Sequence, residues 1–75
     1  MKQFLELIGE TLEKELDTIS PQDVFRDYDE WDSLAHLSMI SIIDETYGLV
    51  IPRDEFAKLT TLEQVYDYIT KNTQN

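Results

Sequence analysis

The arrangement in this 75-residue sequence best suited to chemistry is a serine with an aspartate before it and an apolar run after it, Asp32-Ser33-Leu34. Asp32 is a good helix N-cap, because its carboxylate can accept the orphan N–H groups of a first turn. Ser33 then stands at the mouth of a helix with its hydroxyl available. A phosphate ester there would lie against unpaired N–H groups and the positive end of the helix dipole. The acids ahead of it, Asp27, Asp29, Glu30 and Asp32, oppose this mildly by like charge. The same residues are also ordinary helix-start chemistry, so position alone leaves both readings open.

Other chemistries are poorly supplied. With no cysteine there is no disulfide, thiolate metal site or cysteine nucleophile. The single His36 cannot build a histidine metal cluster, and no calcium-loop spacing with its glycine is present. Nothing resembles a nucleophile–base–orienter set around Ser33, so an enzyme is the least supported class.

The helix that Ser33 opens must be positioned by the rest of a small chain. Residues 33–47 place Leu34, Leu37, Met39, Ile40, Ile42, Ile43 and Tyr47 on a wide apolar face. Ala35, Ser38, Ser41 and Glu45 form a small-to-polar stripe facing away, and Gly48 is the C-terminal stop. Before it, Phe4, Leu5, Ile8, Leu12 and Leu16 recur at helical steps and predict a helix over 3–16. Gly9 weakens that helix by roughly 1 kcal/mol relative to alanine without ending it. The connection over 17–32 carries a helix-start signal at Ser20-Pro21-Gln22-Asp23. It predicts one short turn with Val24 and Phe25 inward, and an acidic stretch held to the bundle by Tyr28 and Trp31. After Pro52 a short helix is expected over 53–58. Thr60 with Glu63 fits a capping box for a last helix over 61–71, with Leu62, Val65, Tyr66 and Ile69 inward. The tail 72–75 is expected to fray. No strand pattern, repeat or low-complexity segment interrupts this, so the expectation is a single all-α domain over 1–75. It has three main helices, a short third one and a long first connection.

Composition bounds the partners. Sixteen Asp/Glu against six Lys/Arg give a formal charge of -10, which repels nucleic acid and anionic lipid and attracts basic protein patches. Hydrophobic residues make up 41% of the chain and fall in periodic order, which argues against disorder. A core this small supplies only about 3–5 kcal/mol of net stability. That suits a surface presenting one group to larger partners better than a strained cleft. No signal peptide and no apolar run near the ~20 residues of a membrane span is present, so a cytoplasmic monomer is expected.

From Phe25 to Ile69 the chain resembles the acyl carrier protein family. The resemblance is carried by Asp32-Ser33-Leu34, the aromatic Tyr47, the Ile51-Pro52 pair, the acidic short helix, Thr60-Thr61 and the ending Asp67-Tyr68-Ile69. Residues 1–24 match only as a helix and a loop. The resemblance implies an acyl-carrier-like four-helix bundle that is not an enzyme. It implies that a phosphopantetheinyl transferase moves 4'-phosphopantetheine from coenzyme A to Ser33, flanked by Asp32 and Leu34. Acyl groups then ride as thioesters on the arm and are presented to acyl-loading, acyl-modifying and acyl-transfer enzymes. The family's cargo pocket maps onto Phe25, Met39, Ile43, Ile51, Phe56 and Leu59, all of which also read as plain core. The partner-facing surface maps onto Ala35, Ser38, Ser41, Asp44 and Glu45.

The departures from the family pattern are informative. The exposed face of the central helix has fewer acids than is usual, and Arg53 stands where an acid is common. Trp31 and Phe56 stand where small residues are common. These features suggest a specialised biosynthetic pathway and a short cargo, or one that stays outside the core. His36, near the attachment point, reads as a partly exposed bystander that could touch the arm, and Arg26, Arg53 and the four lysines read as solvated charge. An aminoacyl or peptidyl carrier remains an alternative, although the Gly-Gly-His or Gly-Gly-Asp approach is absent. So does an acidic helical adaptor that carries nothing.

Overall fold

Four helices form in the order α1 (Lys2–Leu12), α2 (Ser33–Tyr47), α3 (Arg53–Ala57) and α4 (Leu62–Thr73). Single 3₁₀ turns at Leu16–Thr18 and Phe25–Asp27 lie in the connection between α1 and α2. The computed structural model describes residues 1–73. Among these the only strand-like pairing is one antiparallel bridge between Val24 and Thr61. No described helix is long and apolar enough to cross a membrane. The all-α bundle expected from the periodicity is therefore the fold.

The core is built from helical repeats. Phe4, Ile8 and Leu12 of α1 meet Met39 and Ile43 of α2, Phe56 of α3, and Leu62, Val65 and Ile69 of α4; Ile19, Phe25 and Ile51 close it from the connections. All are buried, as steps of three and four residues require of one helix face.

Helix α1 is shorter than its apolar pattern. It stops because Glu13 adopts a left-handed backbone (φ 57°), and the Lys14 N–H returns to the Gly9 carbonyl at 2.8 Å. Leu16, predicted to extend the stripe, is exposed, and Ile19 supplies the buried contact instead. Gly9 is needed for this return: a Cβ there would sit 3.0 Å from the Lys14 carbonyl oxygen and 3.3 Å from Ile19 Cδ1.

The start of α4 departs from the predicted capping box by one residue. Thr61 Oγ1 accepts the Gln64 N–H at 3.2 Å, and Gln64 Oε1 accepts the Thr60 N–H at 2.6 Å. The next two orphan donors are met by the long connection. Leu62 N–H reaches the Asp23 carbonyl at 3.2 Å and Glu63 N–H the Pro21 carbonyl at 2.8 Å. All four donors of the first turn thus find acceptors, since Val65 N–H bonds the Thr61 carbonyl at 3.1 Å. This is why Ser20-Pro21-Gln22-Asp23 makes a turn and not a helix. Asp23 accepts the Ser20 N–H at 2.9 Å, and its neighbour Val24 pairs with Thr61 and leaves its side chain exposed, against expectation.

At its far end α4 runs on through Asn72 and Thr73, whose side chains donate to the Tyr68 and Ile69 carbonyls at 2.8 and 2.7 Å. The rest of the expected fraying tail, Gln74 and Asn75, lies outside the described residues. Helix α2 keeps its predicted bounds. Gly48 ends it with φ 68°, its N–H on the Asp44 carbonyl at 2.9 Å.

Candidate attachment site

Asp32 caps α2 as its sequence demands: its Oδ1 accepts the Ala35 N–H at 2.7 Å, and its carbonyl accepts the His36 N–H at 3.0 Å. Among the described residues the N–H groups of Ser33 and Leu34 have no protein acceptor. Ser33 is exposed at this mouth. Its hydroxyl is therefore reachable by a modifying enzyme, and a phosphate on it would meet free donors and the positive helix end.

Ser33 also opens onto a groove of about 690 Å³ between the start of α2 and α3. Asp32, Ser33, His36 and Leu37 form one side, Arg53, Phe56 and Ala57 the other, with Arg26 and Trp31 contributing from the connection. The wall is aromatic. Trp31 stacks on Phe56 (6.4 Å between centroids, 22°) and meets Phe25 edge-on at 5.0 Å. His36 stands edge-on to Phe56 at 5.0 Å and to Trp31 at 6.1 Å. Trp31 thus holds the connection to the bundle, as expected, and its ring occupies the position just before Asp32-Ser33-Leu34 where the family pattern has a small residue. His36 is half-buried in that cluster, in keeping with the partly exposed position expected of it.

Arg26 is the larger correction. Read as solvated charge, it is half-buried with its guanidinium 4.8 Å from the Phe25 centroid and 5.2 Å from that of Phe56. It donates through Nη2 to the Phe56 carbonyl at 2.8 Å and through Nη1 to the Leu59 carbonyl. The first is a carbonyl of the last turn of α3, shared with the Leu59 N–H at 3.0 Å, and the second belongs to the link that follows the helix. Nothing in the sequence near Arg26 distinguishes it from a surface arginine. The aromatic wall had a signal in the two oversized residues at 31 and 56.

The approach to the site is fixed from behind. Tyr28 Oη donates to Asp23 Oδ2 at 2.6 Å, and Lys14 Nζ lies 4.5 Å over the Tyr28 ring and 3.3 Å from Glu30 Oε1. Burial, then the bond to Asp23, pushes the Tyr28 phenol well above its ordinary range. Bonding to its own backbone amide, then to Lys14, holds the Glu30 carboxyl below its own.

Five of the six residues mapped to a cargo pocket, Phe25, Met39, Ile43, Ile51 and Phe56, are buried in the common core, and Leu59 packs against it half-buried. Of the six only Phe56 lines the groove. Of the residues mapped to a partner surface, Ser41, Asp44 and Glu45 are exposed and Ser38 is half-buried, but Ala35 is buried at 8%. The reason is the rotation of α2. Its inward row is Ala35, Met39 and Ile43, so Leu34 and Leu37, counted on the apolar face, stand 71% and 60% exposed. Leu34 is already a candidate through its place beside Ser33, whereas Leu37, which lines the groove, is one that a wide-face reading of the helix hides.

Residues 2–69 match the family model described as the phosphopantetheine attachment site. The chain belongs to that family. Among curated relatives, the acyl carrier protein of Rubrobacter xylanophilus is 29% identical over 72 residues, covering 96% of this chain and 89% of that protein. The acyl carrier protein of Rickettsia canadensis is 31% identical over 68 residues, covering 91% and 79%. The polyketide-8 synthase acyl carrier protein 1 of Streptomyces avermitilis is 23% identical over 74 residues, covering 99% and 88%. Phosphopantetheine is accordingly the family's prosthetic group. The residues present fit it: an exposed serine, free N–H donors at the phosphate position and a groove leading away from the hydroxyl.

Proposed function

We propose that this chain is an acyl carrier whose 4'-phosphopantetheine arm is attached at Ser33. Its family membership and its acyl carrier relatives make it a carrier and not an enzyme. The observation that supports Ser33 in particular is its exposure at the capped mouth of α2, beside two unpaired N–H groups and an open groove. When attached, the group supplies the thiol on which acyl cargo rides. The chain's own residues do the rest. Asp32 holds the helix start, the Ser33 and Leu34 N–H groups face the phosphate position, and the aromatic cluster fixes the loop beside it.

As an acyl carrier it works with a phosphopantetheinyl transferase and acyl-handling enzymes. The surface we assign to them comprises Leu34, Leu37, Ser38, Ser41, Asp44 and Glu45, with Ala35 removed because it is buried. Apolar anchors ringed by a few acids suit a basic, partly hydrophobic docking patch. The resemblance to a polyketide carrier supports a specialised pathway, and Phe56 packed on Phe25 at 5.6 Å supports a cargo that is short or stays outside the core.

Incubation with coenzyme A and a promiscuous phosphopantetheinyl transferase tests the reading. It predicts a mass gain of one phosphopantetheine that disappears in Ser33→Ala. A mass unchanged with several transferases overturns it.

A further inference from the structure

The groove beside Ser33 has a property that a plain arm-docking cleft does not need: a cation with nothing to do. Arg53 lines it and is exposed. Among the described residues Arg53 makes no ion pair or side-chain hydrogen bond, whereas Arg26 on the same groove spends its donors on Phe56 and Leu59. The chain's formal charge of -10 repels anions at long range, so an arginine without a side-chain partner is the groove's local point of attraction for one. Asp32, the acid that lines the groove, is committed to the Ala35 N–H. Trp31 and His36, both half-buried, give the groove aromatic surface suited to an extended, uncharged chain. The core behind it is filled by Phe56, Phe25 and Met39, each without exposed surface.

We propose that the Ser33-linked arm lies along Trp31 and His36 and that the groove favours a short cargo ending in a carboxylate, which Arg53 holds. The proposal rests on Ser33 being the attachment point. It makes the groove a filter on cargo charge. Neutral short acyl groups lie on the wall without an anchor, and a terminal carboxylate gains a charge-assisted, bidentate partner.

The test loads the full chain, through the transferase, from coenzyme A analogues whose cargo is joined to the arm by a hydrolysis-resistant amide. These carry no cargo, a butyryl group, a succinyl group, or the neutral succinamoyl isostere. Intact mass verifies each loading, and NMR follows the indole N–H of Trp31, the Nε–H of Arg53 and the side chains of Met39 and Ile43. The expected result is a Trp31 shift in every loaded form and an Arg53 shift with succinyl alone. The Arg53 shift should weaken as salt is raised, and in Arg53→Gln, whose unloaded spectrum otherwise matches the parent, the succinyl and succinamoyl forms should give the same Trp31 shift. Equal Arg53 shifts for succinyl and succinamoyl overturn the proposal. So does an Arg53 shift complete in the form without cargo, because the arginine then serves the arm's own phosphodiester. Shifts at Met39 and Ile43 in place of Trp31 overturn it as well, by putting the cargo inside. Failure to gain mass at Ser33 overturns the attachment reading itself, and the two failures are read on different instruments.

Discussion

The two sides of the core hold together differently. On the α1 and α4 side the core is made of repetitive buried rows, Phe4, Ile8 and Leu12 on one helix and Leu62, Val65 and Ile69 on the other, each at most 5% exposed. Under α3 the contacts are few and specific. That helix has five residues, too few to persist without tertiary support. It is held by the Phe56 ring in the Phe25–Trp31–His36 cluster, and by Arg26, which reaches from the connection to the Phe56 carbonyl of α3 and the Leu59 carbonyl just beyond it. The comparison teaches that the structural half of the molecule rests on burial. The half that borders the attachment site rests on one ring and one guanidinium.

The sharpest way to break this contrast is Phe56→Ala. Removing a fully buried phenylalanine costs about 3–5 kcal/mol, comparable to the whole net stability of about 3–5 kcal/mol a core this size supplies. Urea denaturation should find the variant largely unfolded in buffer, while Val65→Ala on the other side leaves a measurable folding transition. Equal losses from the two would erase the distinction. Next comes Arg26→Met, which keeps the stem and removes the donors. Hydrogen bonds from a charged group to carbonyls are worth roughly 1.5–3 kcal/mol, and Arg26 is half-buried, so a loss of about 2 kcal/mol is expected. Hydrogen exchange should show the amides of α3 opening faster than those of α1 and α4. A uniform increase over the whole chain would mean that Arg26 is no local clamp.

Smaller effects refine the same picture. Thr61→Ala removes the cap of α4 and should cost about 1 kcal/mol, seen as a lower denaturation midpoint, with the α3 amides unaffected relative to the rest. Tyr28 belongs to the connection that supports the site, and its folded phenol is raised by burial and by Asp23. A group raised on folding stabilises fully below its unfolded pKa and loses that contribution as pH climbs through the folded value. Stability should therefore decline above about pH 10, and Tyr28→Phe should flatten that alkaline decline. An identical profile in the variant would assign it to the other tyrosines.

What was legible in the sequence follows this division. The periodic rows 4–8–12 and 62–65–69, Asp32 as cap and Gly48 as stop are local patterns, and each is realised. The end of α1 was not legible, because it depends on a left-handed Glu13 and on Gly9 admitting a carbonyl. Both are backbone events that the apolar pattern running on to Leu16 conceals. Arg26 was missed because its acceptors, the Phe56 and Leu59 carbonyls, lie 30 and 33 residues away. The rotation of α2 was missed for a related reason. Seven apolar residues on fifteen positions allow several inward rows, and the choice of Ala35, Met39 and Ile43 is made by what packs against them, leaving Leu34 and Leu37 outside.

The central claim is that the Ser33 hydroxyl carries the arm. Its most direct measurement is fragmentation mass spectrometry of the protein after reaction with coenzyme A and a transferase, locating the added group residue by residue. The account predicts the phosphopantetheine on Ser33 and nowhere else. Finding it on Ser38 or Ser41, further along the same helix, would contradict the account.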